Sequence, residues 1–183
     1  MKIPERTLPT SWVPGRRRRA PIPRRGSLTG ELDPSAAAAV AIELVAHDGH
    51  SDEEVQLLIR SGDRTVAAAL LVMDTIDAMG VPVLDIGPGE VGRPALGVVA
   101  VCHRRTVWRN SRIFLSAPSV QAQGTAEDLA EAVRRAQLDL GRFVARATRQ
   151  QLENIEIDLR QGRQVDAEEA ITYRPIDGIW TRR

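Results

Sequence analysis

An α/β fold follows from three features of this sequence. Residues 55–59 and 81–86 are apolar runs of strand length, and each leads through a glycine-containing turn into an apolar helical stretch. A helix-start signal stands earlier in the chain, where the capping side chain of Asp33 precedes Pro34. With 183 residues the chain can bury one core unaided, and its single Cys102 excludes an internal disulfide framework. Strand–turn–helix units in succession are the pattern of an α/β domain.

The first residues do not share that pattern. Pro4, Pro9, Pro14, Pro21 and Pro23 interrupt them, the run Arg16-Arg17-Arg18-Arg19 adds charge, and apolar periodicity is nearly absent. Such a composition cannot offset its ordering entropy by burial. The expectation is a basic, flexible extension over residues 1–27 and one domain over residues 28–183. Residues 1–30 carry eight basic side chains against Glu5 alone, net +7, so a chain of net charge +1 leaves −6 for the remainder. A basic arm suits nucleic acid, anionic lipid or an acidic partner. Lys2 is the only lysine, however, so arginine fills the basic positions by a general bias, and a solvated extension is the simpler reading. No specific reading for nucleic acid follows.

Within the domain each element has its own signal. Ala36 to Ala46 continue the helix that Asp33 opens. After the strand at residues 55–59, Ser61-Gly62-Asp63 turn the chain, and Thr65 to Met79 form an apolar helix closed by Gly80. The strand at residues 81–86 is followed by a turn from Gly87 to Gly92 and by a largely buried helix, residues 93–102, with Pro94 tolerated in its first turn. Residues 112–115 read as a further strand.

The C-terminal third reads as helical. Thr125 caps a long helix with Glu127 and Asp128 in its first turn. Leu129, Val133, Ala136, Leu140, Phe143 and Val144 mark one apolar face of it. Such a stripe is usually core, but the helix is long for the domain and its other face is thick with charge, so the stripe is read as an assembly surface. Asp166-Ala167-Glu168-Glu169 is the capping pattern of a last short helix.

Few residues offer chemistry of their own. Cys102-His103 are adjacent, a spacing that rarely aims both side chains at one point, and Cys102 ends an apolar run where an inert buried thiol is the commoner case. His47 and His50 lack a third ligand nearby, so no metal site is expected, and no cofactor motif is present. No secretory core and no apolar run long enough to span a bilayer is found, which predicts a cytoplasmic protein without membrane contact.

Several segments, taken in order, resemble the proteolytic subunit of the Clp protease. Leu28-Thr29-Gly30-Glu31-Leu32 is similar to that family's opening segment, and residues 59–66 match its glycine-rich turn in length. Asp74-Thr75, Asn110-Ser111-Arg112-Ile113 with Pro118, and Gln123-Gly124 with Asp128 follow in the family's order. Residues 152–158 and Ala167-Glu168-Glu169-Ala170 with Tyr173 and Ile176-Asp177 complete the series. The resemblance implies a crotonase-like fold of repeated ββα units with a protruding handle helix. It also implies a serine peptidase scaffold that assembles into stacked rings and receives substrates from an ATP-driven unfoldase.

Carried over position by position, the resemblance also implies that the catalytic machinery is missing. The nucleophile position falls on Val91, the histidine position on Ser116, and only the triad aspartate is kept, as Asp158. Valine has no group to activate, and a serine hydroxyl is no general base at neutral pH. The glycine pair of the oxyanion turn falls on Asp63 and Arg64, and the second oxyanion donor on Gly92, whose N–H could survive. The acid–arginine pair that joins the family's rings falls on Arg160 and Gln161, and the groove-lining strand on Val120-Gln121. An aromatic residue of the unfoldase dock falls on Leu58. The expected function is a catalytically inactive subunit of a Clp-type ring that partners itself or catalytic subunits. A standalone scaffold, or a hydrolase using Asp63 or Glu90 in the old cleft, are the alternatives. Asp158 is expected to cap or to pair with Arg160 or Ser116.

Overall fold

Alternation in the apolar runs sets the architecture. In β2, Val55–Arg60, the side chains of Val55, Leu57 and Ile59 are fully buried while Gln56 and Leu58 are half-buried, so one face meets a helical layer. The computed structural model describes residues 24–50, 52–61, 65–92, 94–117 and 124–181. The expected extension up to residue 23, the turn positions Asp63 and Arg64, and the Val120-Gln121 stretch lie outside the described residues.

A five-stranded parallel sheet runs in the order β1-β2-β3-β5-β8. Its strands are β1, Arg25–Thr29, then β2, β3, Val83–Gly87, β5, Arg104–Val107, and β8, Gly178–Ile179. Strand β3 is buried along its whole length, as expected of a central parallel strand. Strand β1 begins at Arg25, inside the stretch assigned to the extension. It pairs with β2 from Arg25↔Gln56 to Thr29↔Arg60, and its alternation of exposed and buried residues was hidden by the arginines before it.

Helices α1, Pro34–Asp48, α2, Val66–Ala78, and α3, Pro94–Val101, cover the core face. Asp33 caps α1 by accepting from the Ala36 N–H at 2.8 Å, and Thr65 caps α2 in the same way through Ala68. Ala37, Val40 and Leu44 fall on one stripe of α1 and are buried. Helix α3 is buried from Pro94 through Val99, which its nearly unbroken apolar sequence requires.

A second sheet departs from expectation. Residues 90–92, read as part of a turn, form β4, Glu90–Gly92, which pairs in parallel with β6, Arg112–Leu115. Strand β6 in turn pairs antiparallel with β7, Arg163–Asp166. The turn is shorter than predicted because Gly89, at φ 85°, reverses the chain within two residues of β3. The strands β5, β7 and β8 carry charges or end after two residues, and gave no apolar run to read.

The long helix α4 spans Ala126–Thr148, or about 35 Å of axis. Thr125 and Asp128 form a reciprocal capping box at its start. Residues 124–130 are exposed, whereas Ala136, Leu140, Val144 and Ala145 are buried against α3 and α5, Leu152–Gln161. The predicted assembly stripe is therefore split. Leu140 lies in the core, 3% exposed, with a methyl group packed towards Gly97, and Phe143 packs against the core from its edge. Only Leu129, 42% exposed, and half-buried Val133 remain at the free end of the stripe. The last helix, α6, Ala167–Tyr173, is capped by Asp166 as its sequence pattern requires. Among the described residues, no helix is long and apolar enough to cross a membrane.

Candidate functional site

The turn from β3 into β4 is built around one buried hydroxyl. Ser111 Oγ donates to the Gly87 carbonyl at 2.7 Å and accepts from the Gly89 N–H at 3.0 Å. The Arg112 N–H adds a bond to the Gly89 carbonyl at 2.8 Å. These three bonds fix the turn against β6 and set the register Val91↔Ile113. Glu90, at the start of β4, is exposed.

That register decides what Val91 can do. Its side chain is buried, 1% exposed, within the hydrophobic core. One methyl group lies 3.1 Å from where a Cβ on Gly87 would sit, so the valine fills the space that glycine leaves. A branched alkyl group has neither a lone pair nor an ionisable proton to offer a carbonyl carbon.

Gly92 follows on the same strand, and its N–H has another use. It donates to the Ser61 carbonyl at 3.3 Å, so the surviving oxyanion donor expected from sequence is engaged in backbone pairing. The glycine also has a packing reason. A Cβ here would stand 2.7 Å from Phe114 Cβ and 3.3 Å from the Phe114 carbonyl oxygen.

Ser116 and Asp158 come near one another through the backbone. The Ala117 N–H donates to the Leu159 carbonyl at 2.9 Å, which sets half-buried Ser116 beside the helix that carries Asp158. Val91 thus flanks β6 at Ile113, and Ser116, just past the end of β6, lies beside α5. Asp158, however, is not bound to Ser116 or Arg160 as expected. Its carboxylate accepts from the Tyr173 hydroxyl and lies 3.5 Å from the Arg163 guanidinium. Arg160 instead donates to the Glu156 carbonyl at 3.1 Å. The reason is helical geometry, since α5 ends at Gly162 in a left-handed turn that carries Arg163 back toward Asp158.

Arg163 also sits 4.9 Å over the Tyr173 ring and bonds Glu169 at 2.7 Å. Burial, reinforced by the bond to Asp158, holds the Tyr173 hydroxyl well above its ordinary range, so it remains a donor. Asp158 is bound into a structural link between α5, β7 and α6. Arg163 and Tyr173 escaped the sequence reading because nothing in their spacing marks them as partners of residue 158.

The other candidates are committed elsewhere. Cys102 is buried and donates its S–H to the Val98 carbonyl, and burial, with the Asp85 carboxyl adding to it and Arg105 opposing, pushes the thiol up. His103 accepts from the Val83 N–H at 3.2 Å, so it does not serve the thiol as a base. His47 and His50 bond backbone carbonyls of Arg25 and Ala46. Among the described residues, no three His, Cys, Asp or Glu side chains are placed to hold a metal ion.

Two further features were not singled out from the sequence. Asp85, the one acid inside β3, is fully buried, and neither carboxylate oxygen has a hydrogen-bond partner. On the outer face of the main sheet, Trp108 and Trp180 stack at 6.2 Å beside a cavity of about 420 Å³. Arg25, Gly26, Ser27, Gln56, Leu58 and Ile86 complete its wall.

Comparison with known proteins accords with this geometry. A family model described as Clp protease matches residues 23–183. The solved structure of a ClpP1 point mutant from Listeria monocytogenes superposes with a TM-score of 0.81 at 23% identity, covering 87% of this chain and 92% of that one. That likeness establishes the shared fold.

Proposed function

The chain belongs to the Clp protease family, and we propose that within it this protein is a catalytically inactive subunit with a structural or regulatory role in a ring assembly. The observation that carries the reading is Val91 at the nucleophile position, buried on β4 with no hydroxyl or thiol. Loss of a triad lowers turnover by about 10⁶-fold, and loss of an oxyanion donor by a further ~10²–10³-fold. Ser116 supplies no base, and Asp63 and Arg64 stand where the resemblance puts the oxyanion glycines. Among the described residues the strands and helices around that position are present, including the long helix with Leu129 and Val133 at its free end.

Partners follow from two surfaces. The exposed first turns of α4 suit pairing with another subunit, either a second copy or a catalytic relative. The apolar cavity beside Trp108 and Trp180, with Leu58 in its wall, supports docking by a Clp ATPase. A standalone scaffold is the second reading, favoured by Arg160, which bonds within its own helix, and Gln161, in place of a charge pair for ring stacking.

The test has two arms. Purified protein treated with a fluorophosphonate probe should remain unlabelled, and V91S/S116H should recover little peptidase activity, because residue 91 lies in the core and the turn is unrepaired. Stoichiometric serine labelling of the wild type would overturn inactivity, and a double variant as fast as an active subunit would overturn the account of the oxyanion turn. Native mass spectrometry after co-expression with a catalytic subunit should show mixed rings. A homo-oligomer that ignores the catalytic subunit would favour the standalone scaffold, and a monomer under both conditions would refute both assembly readings.

A further inference from the structure

Two helices of this fold end on the same kind of residue. Arg149 terminates α4 at φ 57° and Arg174 terminates α6 at φ 72°. They are the only non-glycine residues with positive φ among the described residues. That conformation is the one glycine adopts freely at a helix C-terminus, and a side chain there is strained. Strained residues that persist are candidates for a role the strain serves.

Both arginines line one cavity of about 460 Å³, together with Arg163 and the acid Glu169. The volume lies in the range of small-molecule sites. Arg163 is already neutralised, since its guanidinium bonds Glu169 at 2.7 Å and neighbours Asp158. Arg149 and Arg174 have no ion pair among the described residues. Their backbone N–H groups are spent on the helix ends, bonding the Ala145 and Ala170 carbonyls, and Gln150 covers the Tyr173 carbonyl at 3.0 Å. Both residues line the cavity and are exposed, and a guanidinium fork is suited to bidentate bonding of a phosphate or carboxylate.

We propose that Arg149 and Arg174, with Arg163 behind them, form a binding site for a small polyanion bearing at least two phosphate or carboxylate groups, seated between the ends of α4 and α6. A rival account assigns the two cations to the helix C-termini, where positive charge is favourable. The two accounts differ in what lysine can replace. A lysine satisfies a helix end as well as arginine does but lacks the planar fork.

Thermal unfolding of the full chain should be followed while sodium pyrophosphate or citrate is titrated at ionic strength held constant with sodium chloride. The expected result is a saturable rise in Tm with at least one of the two anions. A tighter response to pyrophosphate identifies a phosphate ligand, and a tighter response to citrate identifies a carboxylate one. R149G/R174G should fold, since glycine suits both positions, and should lose the rise. R149K/R174K should keep the basal Tm and weaken apparent affinity about tenfold. The proposal fails if neither anion exceeds matched chloride or if the glycine pair responds as wild type. Full affinity in the lysine pair would also overturn it, leaving only charge at the helix ends.

Discussion

Replacing Asp85 with asparagine should stabilise the fold at neutral pH and flatten its pH dependence. The carboxyl sits on β3 with no exposed surface, and both of its oxygens lack a hydrogen-bond partner. Burial drives its pKa well above the ordinary carboxylate value, and the charge of Arg105, its register partner on β5, only partly opposes the shift. Arg105 cannot do more because Asp177 holds it through two side-chain bonds, and its remaining nitrogen donates to the Ala147 carbonyl at 3.0 Å. The unfolded chain ionises Asp85 at the ordinary value, whereas the folded chain resists ionisation. This group's stabilising contribution is therefore fully present below the unfolded pKa. It is lost as pH rises from there to the raised folded value, at about 1.4 kcal/mol per pH unit, and is constant above it. An unsatisfied buried polar group costs about 1–3 kcal/mol, and asparagine still leaves an amide to accommodate. A net gain of about 1–2 kcal/mol at neutral pH is expected, or ~2–8 °C in Tm for a chain of this size. Urea unfolding of wild type and D85N at intervals between mildly acidic and mildly alkaline pH would measure it. Parallel pH curves for the two proteins would show that Asp85 finds a partner for its charge, and the reasoning would be wrong.

Two other substitutions probe the packing of Gly92 and the pairing of Asp158. Gly92→Ala should destabilise the fold by about 1–3 kcal/mol, because the new methyl would meet Phe114 at 2.7 Å on the paired strand; an unchanged denaturation midpoint would refute that packing. Tyr173→Phe should lower stability by about 1–2 kcal/mol through loss of the bond to Asp158. The same change in an Asp158→Asn background should have a smaller effect, and equal effects in both backgrounds would mean the pair is not coupled.

Much of this fold was legible because its strands and helices announce themselves chemically. Residues 55–59 and 81–86 are apolar nearly throughout, and Asp33, Thr65, Thr125 and Asp166 all cap the helices they precede. What escaped was structure whose stabilisation is not local. Strand β5 reads Arg-Arg-Thr-Val at residues 104–107, and it forms because β3 offers a partner on one side and Asp177 anchors Arg105 on the other. Strand β4 holds only three residues and depends on the Ser111 hydroxyl, which is 22 positions from the glycine it pins. For the same reason the apolar stripe of α4 was readable as a stripe, but not as a face divided between core and surface. Leu140 and Leu129 look alike in sequence, and only the position of α3 separates them.

The positions that the family resemblance assigns to catalysis carry packing contacts here, and this bears on how Asp158 is interpreted. Val91 occupies space beside Gly87 and Gly92 makes room for Phe114. Asp158 ties Tyr173 of α6 and Arg163 of β7 to α5, and Arg163 in turn holds Glu169. An aspartate kept for a triad would need an imidazole to orient. The three histidines of this chain are His47, His50 and His103, and they bond backbone groups of Arg25, Ala46 and Val83 respectively. The link that Asp158 makes among three elements at the base of α4 gives it a structural role. The same link borders the cavity that Arg149 and Arg174 line. Tyr173→Phe, which removes one bond of that link, should therefore alter the walls of that cavity while leaving Val91 and β4 untouched.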